Sequence, residues 1–190
     1  MKLITIIVAI GLAASQVAAS PTPVPKLFNI KIGTTFKQLD GKLITTDAAG
    51  VSLGEFSNGS EPITVFQTNR TSEACDTCVG FSIWPYTTDF HAIGLYGDPD
   101  LLQFVNLDGG IPPLSSTQVL DIDTFQIAPA DQLINYHGGS WMAFPTLDND
   151  SQGWQLKWAT GEAIVTEDYI PVNLTLTRAG AKPKPLHVGA

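Results

Sequence analysis

The sequence predicts an all-β domain, and three observations carry that expectation. Apolar and polar residues alternate with period two along most of the chain, thirteen prolines and seventeen glycines punctuate the runs, and a Phe-x-Ile outline recurs three times. Period two marks extended backbone, because successive strand side chains point to opposite faces. Short runs broken by proline and glycine suit strands and turns better than helices.

Taken in order, Phe28, Ile30 and Ile32 alternate with Asn29 and Lys31, which predicts a half-buried strand entering Gly33. Asp40-Gly41 reads as a hairpin turn. Residues 62–67, 81–84, 91–96 and 101–107 are the next strands, followed by a turn cluster at 108–113. Residues 119–127 alternate apolar and polar residues into the third Phe-x-Ile and read as one strand. Residues 129–134 suggest a short helical turn, and strands at 154–158, 163–165 and 172–177 close the domain.

The repeated outline begins at Phe28-Asn29-Ile30, Phe81-Ser82-Ile83 and Phe125-Gln126-Ile127, with Gly41, Gly94 and Gly138 each thirteen residues after the Phe. Starts 53 and 44 residues apart suggest units that close around a shared core. Three such units of about four strands predict a β-trefoil-like closed arrangement, with a two-sheet β-sandwich as the alternative.

The domain is expected to span residues 27–178. Ahead of it, Lys2, an apolar run from Leu3 to Ala14 and the small residues Val17-Ala18-Ala19 have the layout of a secretory signal peptide at 1–19. A proline-rich leader follows at 20–26, and residues 179–190 read as a flexible tail. No later run reaches the roughly 18 apolar residues of a spanning helix, and the last residues lack the hydrophobic tail of a lipid-anchor signal. About 171 residues remain after cleavage, enough for one domain with a core.

Ten basic residues stand against eighteen acidic ones, for a net charge of −8. Nucleic acid and anionic membranes want a clustered basic face, so neither is an expected partner. The only cysteines, Cys75 and Cys78, are spaced C-x-x-C. A zinc site would need two further ligands, and His91, His137 and His187 are scattered. On an exported chain the pair predicts a small loop-closing disulfide. No metal or cofactor is expected.

Four N-x-[ST] sequons lie at Asn58, Asn69, Asn149 and Asn173. On an exported chain each is an acceptor for an N-glycan. Asn173 falls in a strand, on the face shared with Thr175 and Thr177 and opposite Val172, Leu174 and Leu176. Trp84, Trp141 and Trp158 are the candidate carbohydrate-stacking residues, since an indole face suits a sugar ring. The alternative for Trp154 and Trp158, which share strand parity with Leu156 between them, is a core face.

No catalytic residue is assigned. Gly139-Ser140-Trp141 lacks the second glycine of a nucleophile elbow, and His137 falls at a turn, three residues before Ser140. Glycoside hydrolysis would need two carboxyls about 5–9 Å apart across one cleft. Asp121 and Asp123 share a strand face at about that spacing, and Glu162, Glu167 and Asp168 lie near Trp154 and Trp158. Alternating acids on a strand are more often its solvated face.

The signal peptide, the Phe-x-Ile segments, the few cysteines and the closing run from Trp141-Met142-Ala143-Phe144-Pro145 through Gly153-Trp154 and Trp158 to Val172-Asn173-Leu174-Thr175-Leu176 resemble small fungal secreted proteins of the cell-wall and IgE-binding-like type. Members usually carry cysteines near the final strands, and this chain has none there. The resemblance implies a secreted or wall-associated β protein with a structural or surface-interaction role, and brings no catalytic motif.

The expected function is therefore that of a non-enzymatic secreted glycoprotein, extracellular or cell-wall associated and monomeric. Its partners would be wall or host glycans, or a protein. A lectin-like carbohydrate-binding module is the first alternative and a carbohydrate-active hydrolase the second. If residues 1–19 are removed on export, peptide mass spectrometry of secreted material will find Ser20 as the first residue; a retained Met1 would refute the signal peptide.

Overall fold

The computed structural model describes residues 25–57, 61–68, 70, 72, 75–86, 88–146, 153–161 and 168–180. Among these the chain is all-β, a curled antiparallel sheet forming a half-barrel. Its strands are β1 (Leu27–Gly33), β2 (Thr45–Thr46), β3 (Leu53–Phe56), β4 (Thr64–Gln67), β5 (Phe81–Trp84), β6 (Ile93–Asp98) and β7 (Leu101–Asn106). They continue as β8 (Val119–Ile122), β9 (Phe125–Ala128), β10 (Gln132–Asn135), β11 (Ser140–Thr146), β12 (Gly153–Ala159) and β13 (Ile170–Arg178). No helix among the described residues is long and apolar enough to cross a membrane.

The main ladder runs β5-β4-β1-β13-β11-β12-β7-β6-β8, with β10 branching to β13 and β9, and β3 to β12 and β2. A bridge between Val79 and Phe125 ties the approach to β5 to β9. The pairings therefore lead from β1 through β4, β5, β9, β10 and β13 back to β1. The hairpins β2–β3, β6–β7 and β11–β12 meet one another through β3–β12, β12–β7 and a Ser52–Val105 bridge.

Alternation in sequence becomes alternation in burial. Ile30 and Ile32 are buried while Lys31 between them is exposed, and Val172, Leu174 and Leu176 are buried along β13. At the centre, Phe125 packs edge-on against Phe81 and Phe104, and Phe104 against Trp141, which in turn meets Trp158 with ring centroids 5.0 Å apart. Each such side chain contributes about 1.5–3 kcal/mol by burial, and edge-to-face pairing adds about 0.5–1.5 kcal/mol. The indole N–H of Trp141 donates to Leu133 O at 2.6 Å and that of Trp158 to Gly138 O at 2.9 Å, so neither buried donor is left unpaired.

Three sequence expectations change. Residues 119–127 form two strands, because Asp123 takes φ 60° and turns the chain from the edge of β6 toward β10. Aspartate tolerates this left-handed region better than most residues. The helical turn expected at 129–134 is a 3-10 turn at Pro129–Asp131 only, and Gln132 onward is strand β10. The three Phe-x-Ile segments are also not equivalent. Phe81 and Phe125 are buried and Phe28 only partly, while Ile30 is buried and Ile127 is 42% exposed. Gly41 and Gly138 have positive φ in turns, whereas Gly94 lies inside β6. Phe125 follows the Asp123 bend, so its strand joins the ladder through β10, whereas β1 pairs directly with β13. The strand expected at 163–165 falls outside the described residues.

The β3–β12 crossing depends on missing side chains. A Cβ on Gly54 would fall on the carbonyl oxygen of Trp154, and one on Gly153 on that of Glu55. Gly54→Ala should destabilise the protein in urea denaturation by about 3 kcal/mol or prevent folding. Gly161→Ala, with nothing within 4 Å of the added carbon, should change stability by less than about 0.5 kcal/mol. Equal effects of the two would show that the crossing is not this tight.

Candidate functional site

Strand β5 lies at one end of the main ladder, and the chain leaves it through Trp84-Pro85-Tyr86. Antiparallel register sets Thr64 opposite Trp84 and Phe66 opposite Ser82. Phe66 thereby reaches Trp84 at a 6.0 Å centroid distance and 88° between planes, and also contacts Tyr86 and His91. Tyr86 stacks on His91 at 4.0 Å and 20°, while Trp84 stands at 76° to Tyr86. One face of the tyrosine ring thus rests on His91, and the residue is still 46% exposed. Two rings near a right angle form an aromatic notch at the sheet edge.

The notch is held from below. Ser82, fully buried, donates its hydroxyl hydrogen to His91 O at 2.8 Å and so accepts from His91 Nδ1, also at 2.8 Å. Arg70 Nη2 donates to the same carbonyl at 2.9 Å and lies 5.4 Å from the centre of the Phe90 ring. Ser82 and His91 resemble a nucleophile and its base in composition only. The serine is sealed from solvent and its proton is committed to a carbonyl, so the pair orients the imidazole beneath Tyr86 and leaves no nucleophile to attack a substrate.

The other candidate residues are dispersed. Trp141 and Trp158, expected as possible sugar platforms, are 3% and 2% exposed and belong to the core; their rings fill the space between β10, β11 and β12. Trp154 is partly buried, edge-on to Phe36 at 5.6 Å. Trp84 alone of the three named tryptophans reaches the surface in an aromatic group. His137 lies exposed at the turn after β10, with no hydrogen bond to Ser140 among the described residues.

Asp121 and Asp123 do not share a strand face, because the bend at Asp123 sends the two carboxyls to different partners. Asp121 lies 3.6 Å from His137 Nε2. Asp123 occupies the space left by Gly80, where a Cβ would strike its carboxyl and crowd Thr68 Oγ1. Burial raises the pKa of both acids above the usual carboxylate value, offset in part by His137 for Asp121 and by Arg70 for Asp123. Glu162 and Glu167 fall outside the described residues, and Asp168 is exposed. Among the described residues no three His, Cys, Asp or Glu side chains cluster as metal ligands.

Cys75 and Cys78 form a disulfide with S–S 2.00 Å and Cα–Cα 5.3 Å. It closes a turn in which Cys78 N donates to Cys75 O, and Gln126 of β9 donates to Thr77 Oγ1 at 2.8 Å. The bridged loop is thus pinned beside the Val79–Phe125 bridge. Of the sequons, Asn58, Asn69 and Asn149 lie outside the described residues, while Asn173 is exposed on β13.

Phe66, Tyr86 and His91 were not singled out in the sequence, since a strand, a post-proline loop and the entry to β6 must meet to assemble them. The one local signal was Trp84-Pro85-Tyr86, two aromatics flanking a proline just past a strand end.

An antiparallel β protein with an aromatic notch on its sheet edge is the class that fold and site define. Comparison with protein-family models finds no matching family, and comparisons with curated proteins and with solved structures find no match.

The half-buried acids set a pH dependence. A carboxyl whose pKa is raised on folding holds its proton more tightly in the native state, so stability falls as pH rises from the unfolded value through the folded one. Asp123→Asn, which keeps the shape and tolerates the same φ, should match wild type in thermal midpoint below about pH 3. It should then exceed wild type by a margin that grows through the carboxylate range and levels off toward neutral pH. A margin independent of pH, or one of opposite sign, would contradict the burial of this carboxyl.

Proposed function

We propose that this chain is an exported, N-glycosylated, non-enzymatic protein of the extracellular space or cell wall, and that it works through its surface. The signal-peptide layout, the four sequons, the Cys75–Cys78 disulfide and the resemblance to small fungal secreted proteins support the exported setting. The observation that carries the surface role is the notch formed by Trp84 and Tyr86. Large rings at 76° to each other, backed by His91 and Phe66, remain at a sheet edge where core packing does not require them.

The same observation favours the carbohydrate-binding reading within that role. An exposed tyrosine face with an indole wall beside it suits the apolar C–H face of a sugar ring. We also propose a β-trefoil architecture. The six-strand circuit β1-β4-β5-β9-β10-β13 and the three mutually paired hairpins support it, with the second and third units starting near β5 and β10.

Retention of the secreted protein on insoluble chitin and β-glucan is the test. Wild type should be retained on at least one of them, and Trp84→Ala or Tyr86→Ala should weaken retention about tenfold or more, a loss of at least ~1.4 kcal/mol. Trp154→Phe, away from the notch, should bind as wild type does. Retention unaffected by both notch substitutions would remove the notch from the function, and release of reducing sugar would overturn the non-enzymatic reading.

A further inference from the structure

We propose that the N-glycan on Asn173 is a built-in part of the fold, its first N-acetylglucosamine seated in the cleft beside β13. The inference rests on the glycoprotein reading above and concerns what one of those glycans does. Asparagine is disfavoured inside strands unless its carboxamide has work to do. Asn29, Asn106 and Asn135 each have it, donating Nδ2 to Ile63 O at 2.7 Å, Gly50 O at 3.0 Å and Thr124 Oγ1 at 2.8 Å. Asn173, well inside a nine-residue strand, makes no side-chain hydrogen bond among the described residues. It is exposed, with the sequon hydroxyl of Thr175 on the same face.

Asn173 is the last residue of β13 to pair with β1, while Ile170, Pro171 and Val172 pair with β11 and Leu174 and Thr175 also with β10. Where β1 ends, a cleft of about 480 Å³ is bordered by Gly33, Thr34 and Asn173 itself. Ile134 and Pro171 line its apolar side, with only the margins of the buried Trp141 and Trp158 rings reaching it, and Thr34, Thr35 and Ser140 supply hydroxyls. That volume lies within the roughly 300–1,000 Å³ of pockets that hold small molecules.

Directly across from Asn173 stands Gly33. Its φ is not in the left-handed range, and a Cβ there would meet only ordinary contacts, the nearest at 3.9 Å. Neither backbone strain nor packing therefore requires glycine at position 33, and its missing side chain leaves open the lane from Asn173 into the cleft. An N-acetylglucosamine fits both sides of that lane: its acetamide methyl and C–H face suit the apolar side, and its hydroxyls suit the threonine and serine side.

The test uses the full chain secreted from a glycosylating host. Glycopeptide mass spectrometry should find Asn173 occupied. Under native conditions its glycan should be released by a glycosidase about tenfold more slowly than the glycan at any other occupied sequon, because the linkage is reached only when the first sugar leaves the cleft. Thr175→Val and Asn173→Gln should each lower the thermal midpoint by about 2–4 °C, as should removal of the Asn173 glycan from wild-type protein, whereas Ser60→Ala, which abolishes the Asn58 sequon, should not. An unmodified Asn173 beside occupied Asn58, Asn69 or Asn149 would overturn this inference and leave the glycoprotein reading standing. So would an Asn173 glycan released as fast as the others. A secreted chain bearing no glycan anywhere would overturn both.

Discussion

Strand β13 is the constraint on which the rest of the structure depends. It pairs with β1 along six residues, with β11 along three and with β10 along two, so one strand holds the first described strand and the third hairpin in a single sheet. A strand with partners on both edges must bury its inward side chains and satisfy its backbone along its whole length. Val172, Leu174 and Leu176 meet the first demand, and the ladders to β1, β11 and β10 meet the second, while Asn173, Thr175 and Thr177 alternate with the buried residues and keep polar side chains out of the core. Because β1 enters the fold first and β13 last, this pairing forms only once most of the chain is in place, a non-local contact of the kind that slows folding.

Around that strand the geometry is set by places where side chains are withheld or bent aside. Gly54 and Gly153 let two hairpins approach backbone to backbone, and Gly80 makes room for a buried carboxyl. The left-handed Asp123 ends one strand and starts the next. These positions convert a set of ordinary hairpins into one curled sheet, since an antiparallel sheet cannot curl and meet itself without bends and close crossings. The short disulfide acts at the same scale. It fixes the shape of a loop next to β9, and a ring of so few residues removes little entropy from the unfolded chain.

The distribution of aromatics links this architecture to function. Phe81, Phe104, Phe125, Trp141 and Trp158 are used up in the centre, where their area is the main source of stability. Trp84, Tyr86, Phe66 and His91 are instead gathered at the edge strand, where the sheet could have ended on small polar residues. An edge strand exposes unpaired backbone groups, and bulky residues just beyond it also help keep other strands from adding on. The notch is thus placed where a surface must be managed in any case, apart from the core.

By itself the sequence determined the class of fold and the inward faces of β1 and β13, because period-two patterning is local and translates directly into burial, but it did not mark β3 or β11 as strands. It also marked Cys75 and Cys78 as a loop closure, since three residues of separation leave the pair few other options. It could not separate Trp84 from Trp141 and Trp158, because an indole in a strand has the same local pattern whether it meets the core or the solvent. It did not by itself show that Asp121 and Asp123 part company: the consecutive polar pair Asp123-Thr124 interrupts the alternation at the bend, but such an interruption does not specify a left-handed residue. Which Phe-x-Ile segment corresponds to which strand, and which asparagine borders the cleft at the end of β1, are settled only by pairing between distant parts of the chain. Tertiary structure decides these because each depends on the partner strand, and the partner lies far away in sequence.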